Sequence, residues 1–373
     1  MMNEITRQTA PLVFLDLLIF WGIFSLLKPV LKGGKITKKK WYCVYILLFS
    51  FVIFPFFNTD WFHYQGVFNA VKMGFPVHLE EVYVCLIDGV CNDYLTFRII
   101  VWGSALILTL LIFKKLPISY DLALFFFGTI WIIWFSYARV SLAMAMTFLG
   151  GTLLASKKES FLMKVVGSFL LISAFYFHKS AAFGIMVVVL ALVLRQLKMN
   201  VIPILILLFP ILLFMIQFYL GGFLVADIDE EENTMNAYMS VGQHYMEKSG
   251  AERGIAANIQ RLLERFPYYY LSFMIFKKYK EGGIKRVPSA IRFFMNVLFL
   301  IVYVSSLFFF DFGANLETIY GRFLRFAFIP ATIVLTYFYE HERFRSRIQT
   351  IYKLAAFGTV YTLLYSFYIS IVT

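Results

Sequence analysis

Long apolar runs separated by short polar stretches repeat along the entire chain, and a helix that crosses a bilayer takes about 20 such residues. Twelve segments fit this pattern: 11–28, 41–57, 96–113, 120–137, 139–155, 161–177, 181–195, 201–220, 262–276, 289–310, 322–339 and 351–371. The period-2 alternation of membrane β-barrels is absent, and the runs exceed the roughly 10 residues of a barrel strand. The first segment lacks a basic leader region and a small-residue cleavage site, so it reads as a span and not as a removed signal. The pattern predicts an all-α, polytopic transmembrane helical bundle of about 12 spans. It forms a single integral membrane domain over 1–373, with long connections at 58–95 and 221–261.

The polar stretches alternate in character. Every second one is basic: Lys28 to Lys40, Lys114 and Lys115, Lys157 and Lys158, Arg195 and Lys198, Lys277 to Arg286, and Arg343 to Lys353. Together they hold 21 of the 34 Lys and Arg residues. Cytoplasmic loops collect such charge, so both termini are expected on the extracytoplasmic side. Composition agrees. The chain is 61% hydrophobic and 15% charged, against about 45–50% and 25% in soluble domains. The net charge of +12 is explained by its placement in these loops, and no nucleic acid partner is expected. Cys85 and Cys91 share the first long external connection, where a disulfide and two free thiols are both open.

Among the 13 Lys and Arg left over, Lys164 and Arg292 lie near cytoplasmic ends. The others are Arg7, Lys72, Arg98, Arg139, Lys179, Lys248, Arg253, Arg261, Arg265, Arg322 and Arg325, and they fall outside or at outer helix ends. Positive charge there runs against the insertion bias, and most of it is arginine, whose fork grips phosphate oxygens bidentately. Arg261 and Arg265 are four apart and Arg322 and Arg325 three apart, so each pair shares a helical face. With Arg139 they would cradle a pyrophosphate at headgroup level; the alternative is that they anchor helices to lipid phosphates. His178 sits at an outer helix end beside Lys179 and Ser180, where neighbouring cations disfavour imidazolium. It reads either as a proton acceptor or as a locally bonded interfacial histidine. Asp60 either orients a base or sugar, or caps the helix after it. Trp61 and Tyr64 nearby suit sugar stacking and also suit an interfacial aromatic belt. The acidic run Asp227 to Glu232 lacks calcium-loop spacing. No Gly-rich phosphate loop or Gly-x-Ser-x-Gly elbow is present, which argues against ATP-driven and serine-hydrolase chemistry.

Four short motifs resemble one family. Asn58-x-Asp60-x-x-x-Tyr64, Tyr137-Ala-Arg139, Ala174-x-x-Phe177-His178-Lys179-Ser180 and Tyr320-Gly-Arg322-Phe-x-Arg325-Phe are similar to motifs of the EpsG branch of Wzy-type polysaccharide polymerases, the family of O-antigen, capsule and exopolysaccharide polymerases. The resemblance implies a bundle like the GT-C-like integral membrane glycosyltransferases, in the bacterial cytoplasmic (inner) membrane. It implies a metal-independent, cofactor-free glycosyltransferase using polyprenyl-pyrophosphate-linked oligosaccharides, with a chain-length regulator protein as a further partner. By the same resemblance Arg139, Arg322 and Arg325 would neutralise the departing pyrophosphate, and His178 would act as base or phosphate ligand. Arg261, Arg265, Lys179, Asp60 and Tyr64 would be further substrate contacts. O-antigen-type ligases use similar external groups. A flippase or other transporter is the rival of a different class, and it predicts charges deep within the spans.

Overall fold

The computed structural model describes residues 9–57, 59–77, 79–137, 139–196, 208–209, 211–212, 255–307, 317–341 and 345–372; the side chains of Asp60 and Arg261 lie outside that description. The described residues are 86% helical, and no strand occurs among them. In chain order they form α1 (Ala10–Leu27), α2 (Lys38–Ile53), α3 (Thr59–Lys72), α4 (Glu81–Gly89), α5 (Tyr94–Lys115), α6 (Tyr120–Ser136), α7 (Ser141–Ala155), α8 (Phe161–Phe177) and α9 (Ala181–Gln196). They continue with α10 (Ile255–Lys280), α11 (Ser289–Leu307), α12 (Glu317–Leu324), α13 (Phe328–His341) and α14 (Arg345–Val372).

Among the described residues, five helical stretches are long and apolar enough to cross a membrane: Ala10–Lys32, Tyr94–Lys115, Ser289–Leu307, Gly321–His341 and Ile348–Ile371. Four shorter apolar helices accompany them, Tyr120–Ser136, Ser141–Ala155, Phe161–Phe177 and Ala181–Leu194. The predicted segment 201–220 falls almost wholly outside the described residues. The connection at 58–95 holds two helices, α3 and α4. The predicted segment 262–276 lies within α10, which runs from Ile255 through Pro267 to Lys280. Within the connection at 221–261, residues 221–254 are outside the description. Cys85 is exposed and Cys91 buried, and both are free thiols.

Local chemistry explains the helix starts. Ser119, Asp93 and Ser160 sit at the positions before α6, α5 and α8 and accept the backbone N–H groups of Leu122, Thr96 and Met163. Such caps satisfy donors that the first helical turn leaves unpaired. Two π-helical turns, Ile99–Gly103 and Phe127–Trp131, interrupt α5 and α6.

The core is built around α7, which packs against α5, α8, α9 and α11 and is buried along nearly its whole length. Its tightest partner is α8. A Cβ on Gly150 would lie 2.6 Å from the Gly167 carbonyl oxygen, and one on Gly167 would lie 3.0 Å from the Gly150 carbonyl oxygen. The two backbones therefore touch where both side chains are missing, the small-residue packing that membrane helices favour. This contact sets the site. Arg139 precedes Gly150 by eleven residues and His178 follows Gly167 by eleven. At about 1.5 Å per residue, both lie about 16 Å from the crossing. Because the helices run antiparallel, both lie on the same end, and Lys157 and Lys158 occupy the other.

Candidate functional site

Arg139 occupies the turn between α6 and α7. Ser141 tightens that turn by donating its hydroxyl to the Phe135 carbonyl at 2.6 Å. Tyr83 of α4 reaches in from the side, its hydroxyl donating to the Arg139 carbonyl at 3.5 Å. Burial, followed by the nearby Glu80 charge, pushes the Tyr83 phenol far up, so it remains a neutral donor. The Tyr83 ring also makes edge contacts with Phe97 and Phe177, which ties α4 to α5 and to the last residue of α8. The Arg139 guanidinium lies 5.6 Å from the Tyr64 ring centroid, within cation–π range. Its Nη1 lies 3.5 Å from Glu80 Oε2.

His178 ends α8. Its backbone is extended (φ −163°, ψ 123°), so the chain leaves the helix there and turns into α9. The Ser180 backbone N–H donates to His178 Nδ1 at 3.1 Å. A backbone N–H can only donate, so Nδ1 presents its lone pair and the neutral ring carries its proton on Nε2. That Nε2 faces Glu80 Oε1 at 3.9 Å. Burial pushes the imidazole down to about 3, and the charges of Arg139, Arg322 and Arg325 push in the same direction. The contact with Glu80 is therefore one between a neutral ring and a carboxyl group, not an ion pair.

α12 carries Arg322 and Arg325 follows it directly, and the charges of both reach His178 at this end of the bundle. Aromatic packing docks them. Phe183 in the first turn of α9 stacks on Phe323 with centroids 4.1 Å apart and planes 10° from parallel, and meets Phe326 edge-on at 5.7 Å. Gly184 makes room for Phe326, since a Cβ there would lie 2.6 Å from the ring. The helix ends at Leu324, and Arg325 opens a 3-10 turn, in which side chains three apart remain aligned. Arg322 is exposed and Arg325 half-buried. Glu264 feels the charges of both Arg325 and Arg265, which links α10 to the same corner.

Of the residues singled out in the sequence, Arg139, His178, Arg322, Arg325 and Tyr64 come together here, with Arg265 joined through Glu264. Lys179 adjoins His178 and is exposed. Arg261 and Asp60 belong to α10 and α3, and their side chains lie outside the described residues. Sequence reasoning missed Glu80, which bridges Arg139 and His178. It also missed Tyr83. Glu80 immediately precedes α4 and is followed by Glu81, and acidic residues at a helix start read as complements to the helix dipole. Glu80 makes no side-chain cap bond to its own helix. Its carboxylate turns toward Arg139 instead.

The EpsG family matches the chain over residues 39–373. No curated protein and no solved structure matches it.

Proposed function

Because the chain belongs to the EpsG family, we propose that it is an integral membrane polysaccharide polymerase. In this proposal it transfers a glycan chain from polyprenyl pyrophosphate onto another lipid-linked oligosaccharide repeat at the extracytoplasmic face. The observation that carries the proposal is the convergence of Arg139, Arg322 and Arg325 on His178 at one end of the bundle. That end is opposite the lysine-bearing turn between α7 and α8.

Transfer from a pyrophosphate carrier needs no activation by a nucleotide, because the leaving group is already good. It needs neutralisation of the charge that builds on the pyrophosphate and an acceptor held in line. Guanidinium forks suit the first task. Tyr64, half-buried beneath Arg139, gives the acceptor sugar an aromatic surface, whereas Trp61 is buried against Arg98, Phe54, Phe56 and Tyr94. A transporter would instead be expected to carry unsatisfied charge within its spans. Among the described residues two charges are buried there: Arg98 donates to carbonyls of α2 and α6, whereas Asp16 accepts the Phe57 N–H at 2.7 Å through Oδ2 and leaves Oδ1 without a hydrogen-bond partner, so Asp16 is the feature that keeps the transporter reading in play.

The test is reconstitution. Purified protein in liposomes is given polyprenyl-pyrophosphate-linked repeats extracted from host cells lacking the gene, with a chelator and no nucleotide. A ladder of lengthened lipid-linked products is expected. Movement of unchanged repeats across the bilayer, without growth, would overturn the proposal in favour of a flippase.

A further inference from the structure

Two groups beside Arg139 can take a proton, His178 and Glu80, and their geometry distinguishes them. The one lone pair of the neutral His178 ring lies on Nδ1 and is taken by the Ser180 N–H at 3.1 Å. The opposite nitrogen offers a proton, not a lone pair. Glu80 has two oxygens with different neighbours: Oε1 faces His178 Nε2 at 3.9 Å, and Oε2 faces Arg139 at 3.5 Å. Oε2 is buried, and no hydrogen-bond donor among the described residues satisfies it. The Nε of Arg139 is likewise buried without a hydrogen-bond partner. A carboxylate side chain 12% exposed, with one oxygen unsatisfied, is costly to hold unless a ligand completes it.

Resting on the polymerase function proposed above, we infer that Glu80 is the catalytic residue that takes the proton from the acceptor sugar hydroxyl, and that His178 is a positioning residue that holds Glu80 through its Nε2–H. The acceptor oxygen forms a bond to the anomeric carbon of the donor glycan. The bond from that carbon to the pyrophosphate oxygen breaks, and its electron pair leaves with polyprenyl pyrophosphate. The hydroxyl proton goes to Glu80 and then to water. Arg139 serves both partners. Before the donor binds, it pairs with Glu80; once pyrophosphate is present, its free Nε–H and fork turn to the phosphate oxygens, and the carboxylate is released to accept the proton. The 3.9 Å gap to His178 is longer than a hydrogen bond, and in this inference substrate binding tightens it. Glu80 lies outside the four motifs that the sequence makes visible, because it is carried by α4 and meets the site only in three dimensions.

The experiment is steady-state chain growth in the reconstituted system, using the extracted lipid-linked repeats as both donor and acceptor. Glu80→Gln keeps the shape but cannot take a proton. It is expected to lower turnover by about 100-fold or more, with KM for the repeats within about threefold of the wild type. Glu80→Asp, which retains a carboxylate, is expected to recover part of that turnover. His178→Gln, whose amide still offers an N–H toward Glu80, is expected to lose less than about tenfold. Turnover above a tenth of wild type in Glu80→Gln overturns the inference. So does a loss confined to KM, or a Glu80→Asp enzyme as inactive as Glu80→Gln. A His178→Gln enzyme as inactive as Glu80→Gln overturns the division of roles. A wild-type ladder that persists in Glu80→Gln removes this inference alone, whereas a wild-type protein that builds no ladder removes the polymerase proposal and the inference with it.

Discussion

Arg98 and Arg139 are neighbours at one end of the bundle, connected through the rings of Trp102 and Tyr64, whose centroids lie 6.3 Å apart. By sequence they belong to the same set of cations at outer helix ends. Their surroundings differ in every respect that matters. Arg98 is 1% exposed. It donates Nε–H to the Ile53 carbonyl at 2.8 Å, and Nη2–H to the carbonyls of Val52 at 2.8 Å and Ser136 at 3.0 Å. Its guanidinium lies over Trp102 at 4.1 Å and Trp61 at 4.9 Å. Those carbonyls belong to the last turns of α2 and α6, which have no partner further along their own helices. Arg98 thus closes two helix ends at once. Arg139 leaves its Nε buried without a hydrogen-bond partner and holds Glu80 only at 3.5 Å. One arginine has every reason to stay where it is; the other is half-satisfied and faces other charges. A cation that completes the fold and a cation held ready for a ligand are told apart by the donors left over, not by position along the chain.

The sharpest way to break this contrast is to remove each arginine in turn. Arg98→Ala leaves buried carbonyls unpaired and is expected to cost about 3–5 kcal/mol. It should abolish the monodisperse peak in detergent size-exclusion chromatography. Arg139→Ala is expected to retain that peak while chain growth falls by about 100-fold or more, near 2.7 kcal/mol of transition-state stabilisation. If Arg139→Ala unfolds as badly as Arg98→Ala, the contrast is void. Next in size is the crossing that sets the depth of Arg139. Gly150→Leu drives a side chain into the Gly167 carbonyl and is expected to cost about 1–3 kcal/mol in the melting curve. Chain growth should drop by about tenfold as Arg139 and His178 separate.

The smallest effect concerns acid. In the folded protein His178 stays neutral down to about 3, whereas in the unfolded chain it takes a proton near 6.5. The unfolded state binds the proton that the folded state refuses, so stability declines as pH falls below about 6.5. At pH 5.5 this amounts to about 1.4 kcal/mol. His178→Gln should lose that part of the acid sensitivity, read as a smaller drop in melting midpoint between pH 7 and 5.5.

Much of this architecture is legible in the chain itself, because lipid imposes a length and an apolarity on each segment. Placing Arg139 and His178 at one end follows from α7 and α8 being consecutive antiparallel helices. What the sequence concealed has physical causes. The partners of Arg98 are backbone carbonyls 38 to 46 residues away, and a carbonyl looks the same whatever residue bears it. Glu80 was hidden because a carboxylate at a helix start already has a sufficient local explanation. The spacing of Arg322 and Arg325 promises a shared helical face, and the 3-10 turn that opens at Arg325 keeps residues three apart in line. Their docking depends on Phe183 and Gly184, residues that individually resemble any others in an apolar segment.

The equal count from the Gly150–Gly167 contact to Arg139 and to His178 has a consequence for how this chain can vary. The pair of helices acts as a caliper whose two arms must match. A residue inserted into one arm would advance its tip by about 1.5 Å and swing it by about 100°, opening the jaws without loosening the pivot. A chimaera that draws α7 and α8 from different parents should therefore work only when both donors keep the same number of residues between glycine and tip, however unlike the residues between them are.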